Sequence, residues 1–269
     1  MRVELLIIDP QNDFCDSKGS LAVPGANSDC ERLAKMIERI GNKIDDIHCT
    51  LDTHSRIDIG HSLFWTDSKG KHPIVKLPNH PPIVLSVEDV EQGKYRPTDM
   101  RLYNYVLEYF NFLKNNGRYA PVIWTEHCLK ASWGWCVYPC VFQALYDWES
   151  QYAMVDYVTK GSNYKTEHYG IFFAEYQLKE DPGTQLNMPL IETFQRCDMI
   201  LVSGQALNFC VANSIVDLVN SFGKENAKKI WIVEDTTSPV PGFDQLTDNF
   251  YKFAKSNGIN FITSDKVLK

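Results

Sequence analysis

Nowhere does the chain string together the roughly 18 apolar residues that a membrane-spanning helix requires, so no membrane partner is expected. The apolar run near the start, inside "MRVELLIIDPQNDF", is about six residues long, and no small-residue cleavage site follows it. That is too short for a secretory signal. Runs of Lys and Arg are missing too. With 27 basic against 34 acidic side chains, a formal net charge of −7, the chain offers no basic face for phosphates, and nucleic acid is not an expected partner. The 8 cysteines lack the dense spacing of a small disulfide scaffold, and Cys128, Cys136 and Cys140 match no zinc-ribbon pattern. They read as mostly reduced thiols of a cytoplasmic protein. No internal repeat stands out.

What is present is enough for a full core: 269 residues, 44% of them hydrophobic, fit one domain spanning 1–269 with an insertion at about 63–118. Short β-branched apolar runs recur at 3–9, 46–52, 120–125, 153–160, 198–204, 229–235 and 260–263. Between them lie segments with helical apolar spacing at 28–41, 99–114, 210–222 and 243–255. Near-continuous apolar strands alternating with helices predict an α/β fold, a parallel sheet buried on both faces. The stretch 63–98 has five prolines and no steady period, and it reads as a long excursion between the second and third strands.

In open α/β sheets ligands bind beyond the carboxyl ends of the strands. The reactive side chains expected there are Asp9, Asp52 with His54, Trp124 with His127, Lys160, and Cys210 within "SGQALNFCV". Each has a bland reading: Cys210 as a buried core thiol, Lys160 as a solvated strand end, Asp9 as a turn former, and "DTH" as a local turn. One active site accounts for the whole set. A thiol at a helix N-terminus gains thiolate character, a lysine adds positive charge, and a carboxylate carries the proton. The turn "GQALNF" leaves N–H groups free to meet an oxyanion. Asp52, His54 and His127 suit a divalent transition metal with open positions, zinc first and iron or manganese otherwise. Phe14 and Trp124 put aromatic faces near the same edge, fit to sandwich a flat ring.

At these residues the chain resembles the isochorismatase-like cysteine hydrolases, nicotinamidases most of all. The resemblance rests on "LLIIDPQNDF" with "GSLAVPGA", then "DTH", "WTEHC", "TKG" and "SGQALNFCV", in the family's order over most of the chain. It implies a six-stranded parallel sheet flanked by helices on both faces, and amide hydrolysis through a thioester. It also implies a catalytic triad of Asp9, Lys160 and Cys210, metal ligands Asp52, His54 and His127, and an oxyanion hole from the N–H groups of Ala206 and Cys210. A cis peptide is implied at Gln205–Ala206. His61 lies where some relatives place a further metal ligand. The chain departs from nicotinamidases at Thr125, where they carry proline, and in "EDTTSPVPGF", which lacks their Cys-Arg-Gly.

The expected function is therefore hydrolysis of nicotinamide or a similar small planar amide, in a possible homo-oligomer. The alternatives are another small amide, an isochorismatase-type vinyl ether, or a catalytically silent assembly subunit. The excursion is expected to form a flap or subunit contact over the pocket mouth.

Overall fold

In a computed structural model, which describes residues 1–77 and 79–269, the apolar runs become strands and the amphipathic segments pack over them. The chain starts with β1 (Val3–Ile8), a short α1 (Asn12–Cys15), α2 (Ala26–Ile40) and β2 (Asp46–Asp52). The excursion adds β3 (Trp65–Asp67), β4 (Ile83–Val84), α3 (Val87–Glu91), β5 (Tyr95–Pro97), α4 (Tyr103–Asn115) and β6 (Val122–Ile123). The return runs through α5 (Pro139–Glu149), β7 (Asp156–Lys160), α6 (Met188–Arg196), β8 (Met199–Gly204), α7 (Ala212–Phe222), β9 (Ile230–Val233), α8 (Asp244–Ser256) and β10 (Asn260–Ile262).

Six strands form one parallel sheet in the order β10-β9-β8-β1-β2-β7. Strand β1, "VELLII", is buried at every position, as a central strand covered on both faces must be. Successive residues of β2 show the two covers. The His48 ring meets Phe194 of α6 at 5.1 Å, and Cys49, next along, faces Cys30 of α2. Helix α2 turns Cys30, Leu33, Ala34, Ile37 and Ile40 inward at helical spacing and packs against α5.

Three expectations are corrected. The run at 120–125 is not a strand of the main sheet: β6 pairs antiparallel with β4, and the edge position beside β2 belongs to β7. Apolar composition alone does not reveal a strand's partner. Second, the excursion is structured. Besides the β3–β5 pair it holds α3, whose start is a capping box in which Ser86 and Asp89 exchange side-chain and backbone bonds. Phe64, Trp65, Leu85, Val90, Val106, Phe110 and Ile123 close a second apolar cluster there. Third, the helices α5 and α6 stand in segments where no helix was expected.

Candidate active site

The in-register ends of adjacent strands bring the site together. Asp52 and Lys160 are paired residues at the ends of β2 and β7, and Ile8 pairs with Gly204 at the ends of β1 and β8. Asp9 follows β1 at φ 45°, a left-handed backbone rare outside glycine. Thr50 holds it there: the Asp9 N–H donates to Thr50 Oγ1, and that hydroxyl donates to Asp9 Oδ1.

Lys160, 2% exposed, is the hub. Its Nζ lies 2.9 Å from Asp9 Oδ2, 3.0 Å from Asp52 Oδ1 and 3.6 Å from Cys210 Sγ. Burial works against the ammonium, but Asp52 and Asp9 outweigh it and hold Lys160 well above its ordinary pKa. Burial raises the Asp9 carboxyl against the pull of Lys160, which makes it a stronger base. Burial also pushes the Cys210 thiol well up, Lys160 opposing and Asp9 adding to the rise. Cys210 sits in a wide π turn, Leu207–Val211, ahead of α7, and rests as a neutral thiol beside a basic carboxylate. The Gln205–Ala206 peptide is cis.

On the other side of Asp52 stand three imidazoles. His54, His61 and His127 bring one ring nitrogen each to within 4.8 Å of one another. His54 Nδ1 is 3.0 Å from Asp58 Oδ2, His61 Nδ1 is 3.2 Å from the Ser55 carbonyl, and His127 Nδ1 is 2.8 Å from the Thr125 carbonyl. Each acceptor takes a hydrogen bond from Nδ1–H. Against burial, Asp52 and Asp58 hold His54 well above its ordinary pKa, so its Nε2 also donates to Asp52, while His61 Nε2 lies 3.2 Å from His127 Nδ1. Asp52 Oδ2 joins them, 3.0 Å from His54 Nε2 and 3.5 Å from His127 Nε2. Three imidazoles and a carboxylate gathered this closely are a donor set that suits a divalent metal, which takes the place of the His54 Nε2 proton. Burial and the neighbouring His54 and His127 hold His61 well below its ordinary pKa, so it stays a neutral donor. Sequence spacing left His61 open, and the structure places it in the cluster.

The cavity beside Cys210 is lined by Phe14, Trp124, Tyr169, Phe209 and Val240, with Asp52, His127, Glu167 and Ala206 as its polar part. Trp124 meets Phe209 edge-on at 5.0 Å and donates its indole N–H to Tyr169 Oη at 3.1 Å. Phe14 lies 5.5 Å from the His127 ring. Tyr169, Phe209 and Glu167 were missed from sequence; "TEHYG" carried no signal beyond its closeness to Lys160. Burial, with Asp58 and Asp52 adding to it against His54, pushes Glu167 up to about 8. Among the described residues of 63–118, none lines this cavity.

The six-stranded parallel sheet with helices over it is the isochorismatase-like α/β fold, and the chain is similar to nicotinamidases. No family model matches it. It is 22% identical over 259 residues to the nicotinamidase of Saccharomyces cerevisiae, covering 96% of this chain and 98% of that protein. Among solved structures, the yeast nicotinamidase superposes with a TM-score of 0.64 at 18% identity, over 97% of this chain and 99% of the other. A nicotinamidase/pyrazinamidase from Acinetobacter baumanii gives 0.65 at 18%, over 99% and 98%. A Pyrococcus horikoshii pyrazinamidase in complex with zinc gives 0.56 at 14%, over 98% and 99%.

Proposed function

We propose that the protein hydrolyses nicotinamide, or a similarly small planar amide, to the acid and ammonia through a thioester on Cys210. The observation that carries this reading is the meeting of Asp9 and Cys210 within 3.6 Å of the Lys160 Nζ, with Cys210 lining an aromatic cavity. Similarity to nicotinamidases over nearly the whole chain supports it.

The substrate ring lies between Phe14 and Trp124, with its amide carbon over Cys210. Asp9 takes the thiol proton as sulfur attacks, so the thiolate exists only when it is needed. Lys160 keeps Asp9 and the thiolate charge-balanced. The N–H groups of Ala206 and Cys210 receive the oxyanion, and such donors contribute about 3 kcal/mol each. The C–N bond breaks, ammonia leaves with the proton that Asp9 carried, and the acyl group stays on sulfur. Water then adds to the thioester carbon, the C–S bond breaks, and Asp9 returns a proton to the thiolate.

Asp52, His54 and His127, with His61, fit a divalent ion, zinc foremost and iron or manganese otherwise, which when bound supplies a Lewis-acidic position for a ring nitrogen or a water. The test is ammonia release from a panel of small amides including nicotinamide, run beside an isochorismatase-type vinyl ether. Nicotinamide or a close ring analogue should turn over fastest. Hydrolysis of the vinyl ether alone would overturn the amidase reading.

A further inference from the structure

Behind Lys160, away from the aromatic cavity, lies a second enclosure of about 120 Å³, which is room for several water molecules. Its walls include Lys160, Gly161, Ser162, Thr166, His168 and Thr184, a polar set where the aromatic cavity is largely apolar. The two share no lining residue. Glu167 and His168, neighbours in the chain, face different enclosures.

Two features tie this chamber to the reaction. The first is His168, 7% exposed, whose Nδ1 accepts the Gly161 N–H at 3.3 Å. That bond puts the ring proton on Nε2, and among the described residues this buried Nε2 has no partner. An unsatisfied buried donor costs about 1–3 kcal/mol, so the site calls for a polar occupant. The Thr166 hydroxyl beside it donates to the Glu167 carbonyl and accepts the Tyr176 N–H, which leaves one lone pair free, whereas Thr184 is fully used by backbone carbonyls, the Leu178 N–H and Gln185. The second feature is Gly161, at φ +77°, where a Cβ would come 2.9 Å from Asp52 Oδ1 and 3.4 Å from His54 Cε1. The Gly161 backbone therefore lies against the charged centre on one side and the chamber on the other, and Lys160 lines the chamber while its Nζ reaches Asp9 and Cys210.

We propose that this chamber is a water site that supplies the hydrolytic step, with His168 as the positioning residue that holds its innermost water; the supply role rests on the thioester reading above. Once the acyl group is on Cys210 it occupies the aromatic cavity, and a substrate ring nitrogen in the metal position leaves that position closed to water. The chamber reaches the same centre from the side of Lys160. A water delivered there forms the C–O bond as the C–S bond breaks, and its proton passes through Asp9 to the Cys210 thiolate.

Two measurements test this. A high-resolution crystal structure should show an ordered water within hydrogen-bond distance of His168 Nε2 and others leading toward Lys160; a dry or side-chain-filled chamber overturns the proposal, whatever the amidase assay gives. Rapid-quench kinetics with nicotinamide, following ammonia and acid separately, then compare the parent with Ser162→Trp, His168→Phe and His168→Gln. Ser162 is exposed at the rim, so a tryptophan there plugs the chamber without disturbing the core. Plugging, or the loss of the N–H in His168→Phe, should slow acid release about tenfold while the ammonia burst stays within about twofold, and the acyl-enzyme should accumulate on intact mass. The His168→Gln variant retains a donor and should recover much of the rate. Equal falls in both steps, or no change in either, overturn the proposal. If His168→Phe fails to fold, the Ser162 variant carries the same comparison alone. A parent that turns over amides yet shows no acyl-enzyme on intact mass, in single-turnover or in hydroxylamine-trapping experiments, defeats the thioester reading and the supply role with it, while the crystal structure separately decides whether His168 holds water.

Discussion

The Lys160 ammonium lies 3.0 Å from Asp52 Oδ1 while Asp52 Oδ2 reaches His54 at 3.0 Å, so one carboxylate is shared between the thiol side of the site and the imidazole side. Burial disfavours that charge, yet His54 and Lys160 hold Asp52 well below the usual carboxylate range. Asp52→Asn should therefore damage both halves together. Turnover should fall by about a hundredfold or more, and bound metal should fall in the same preparation. A variant with parental metal content and rate would show that the sharing has no consequence.

Cys210→Ala should abolish amide turnover and leave the unfolding midpoint within a few degrees of the parent. Asp9→Asn added to it should make nothing worse, because residues acting on one proton are far from additive. Iodoacetamide should modify Cys136, which is exposed, before Cys210, which is buried with its pKa pushed up. Peptide mapping after brief alkylation reads this directly.

The three-imidazole cluster predicts about one divalent ion per chain in purified protein. His61→Ala should weaken metal retention about tenfold or more against a competing chelator, as should His127→Ala. Unchanged retention in His61→Ala would remove that residue from the ligand set.

His48 tests the opposite end of the sheet. Its Nε2 lies 3.1 Å from the fully buried Glu4 and its Nδ1 2.8 Å from Asp156; burial pulls the imidazole down, but the two carboxylates outweigh it and raise its pKa. A raised folded pKa means stability that is fully present below the unfolded value, about 6.5, and is lost as pH climbs through the folded value. His48→Gln should thus cost roughly 2 kcal/mol at pH 5.5 and clearly less at pH 9, by urea unfolding. A penalty independent of pH would show that the ring acts by packing alone.

Arg118 anchors the end of the excursion to the main body, with Nε 2.6 Å from Glu175 and Nη1 2.7 Å from Asp217 of α7. Arg118→Met strands two buried carboxylates and should cost about 3–5 kcal/mol in denaturant unfolding. A cost under 1 kcal/mol would mean that water replaces the guanidinium there.

The sheet was legible because β1, β2, β8 and β9 are buried on both faces, and such strands write uninterrupted apolar runs. The meeting of Asp9, Asp52, Lys160 and Cys210 was legible because strand ends collect polar chemistry at one edge, and the structure brings the other three to Lys160. Val122–Ile123 misled for the same reason that β1 succeeded: it too is apolar, but its partner is Ile83–Val84, in the short β-like run "PIVLSV", and composition does not say which strands pair. Helices α5 and α6 went unread; each carries a proline in its first turn, a start signal that stands outside any apolar period. His61 and Glu167 owe their places to the fold of loops, and no spacing rule reaches them.

Side chains alternate along β6, and the alternation assigns neighbours to different owners: Val122 and Trp124 belong to the main core, Ile123 between them to the cluster of the excursion. Trp124 and His127 are thus mounted on a party wall between two separately packed interiors. A side chain trimmed deep in the smaller interior, as in Phe110→Leu or Val90→Ala, would be transmitted to the wall rather than to the sheet, and would misalign the aromatic and imidazole side of the site while Cys210 and Lys160 kept their places. Natural or laboratory drift in the excursion can in this way retune what the protein accepts without touching the atoms that cut it.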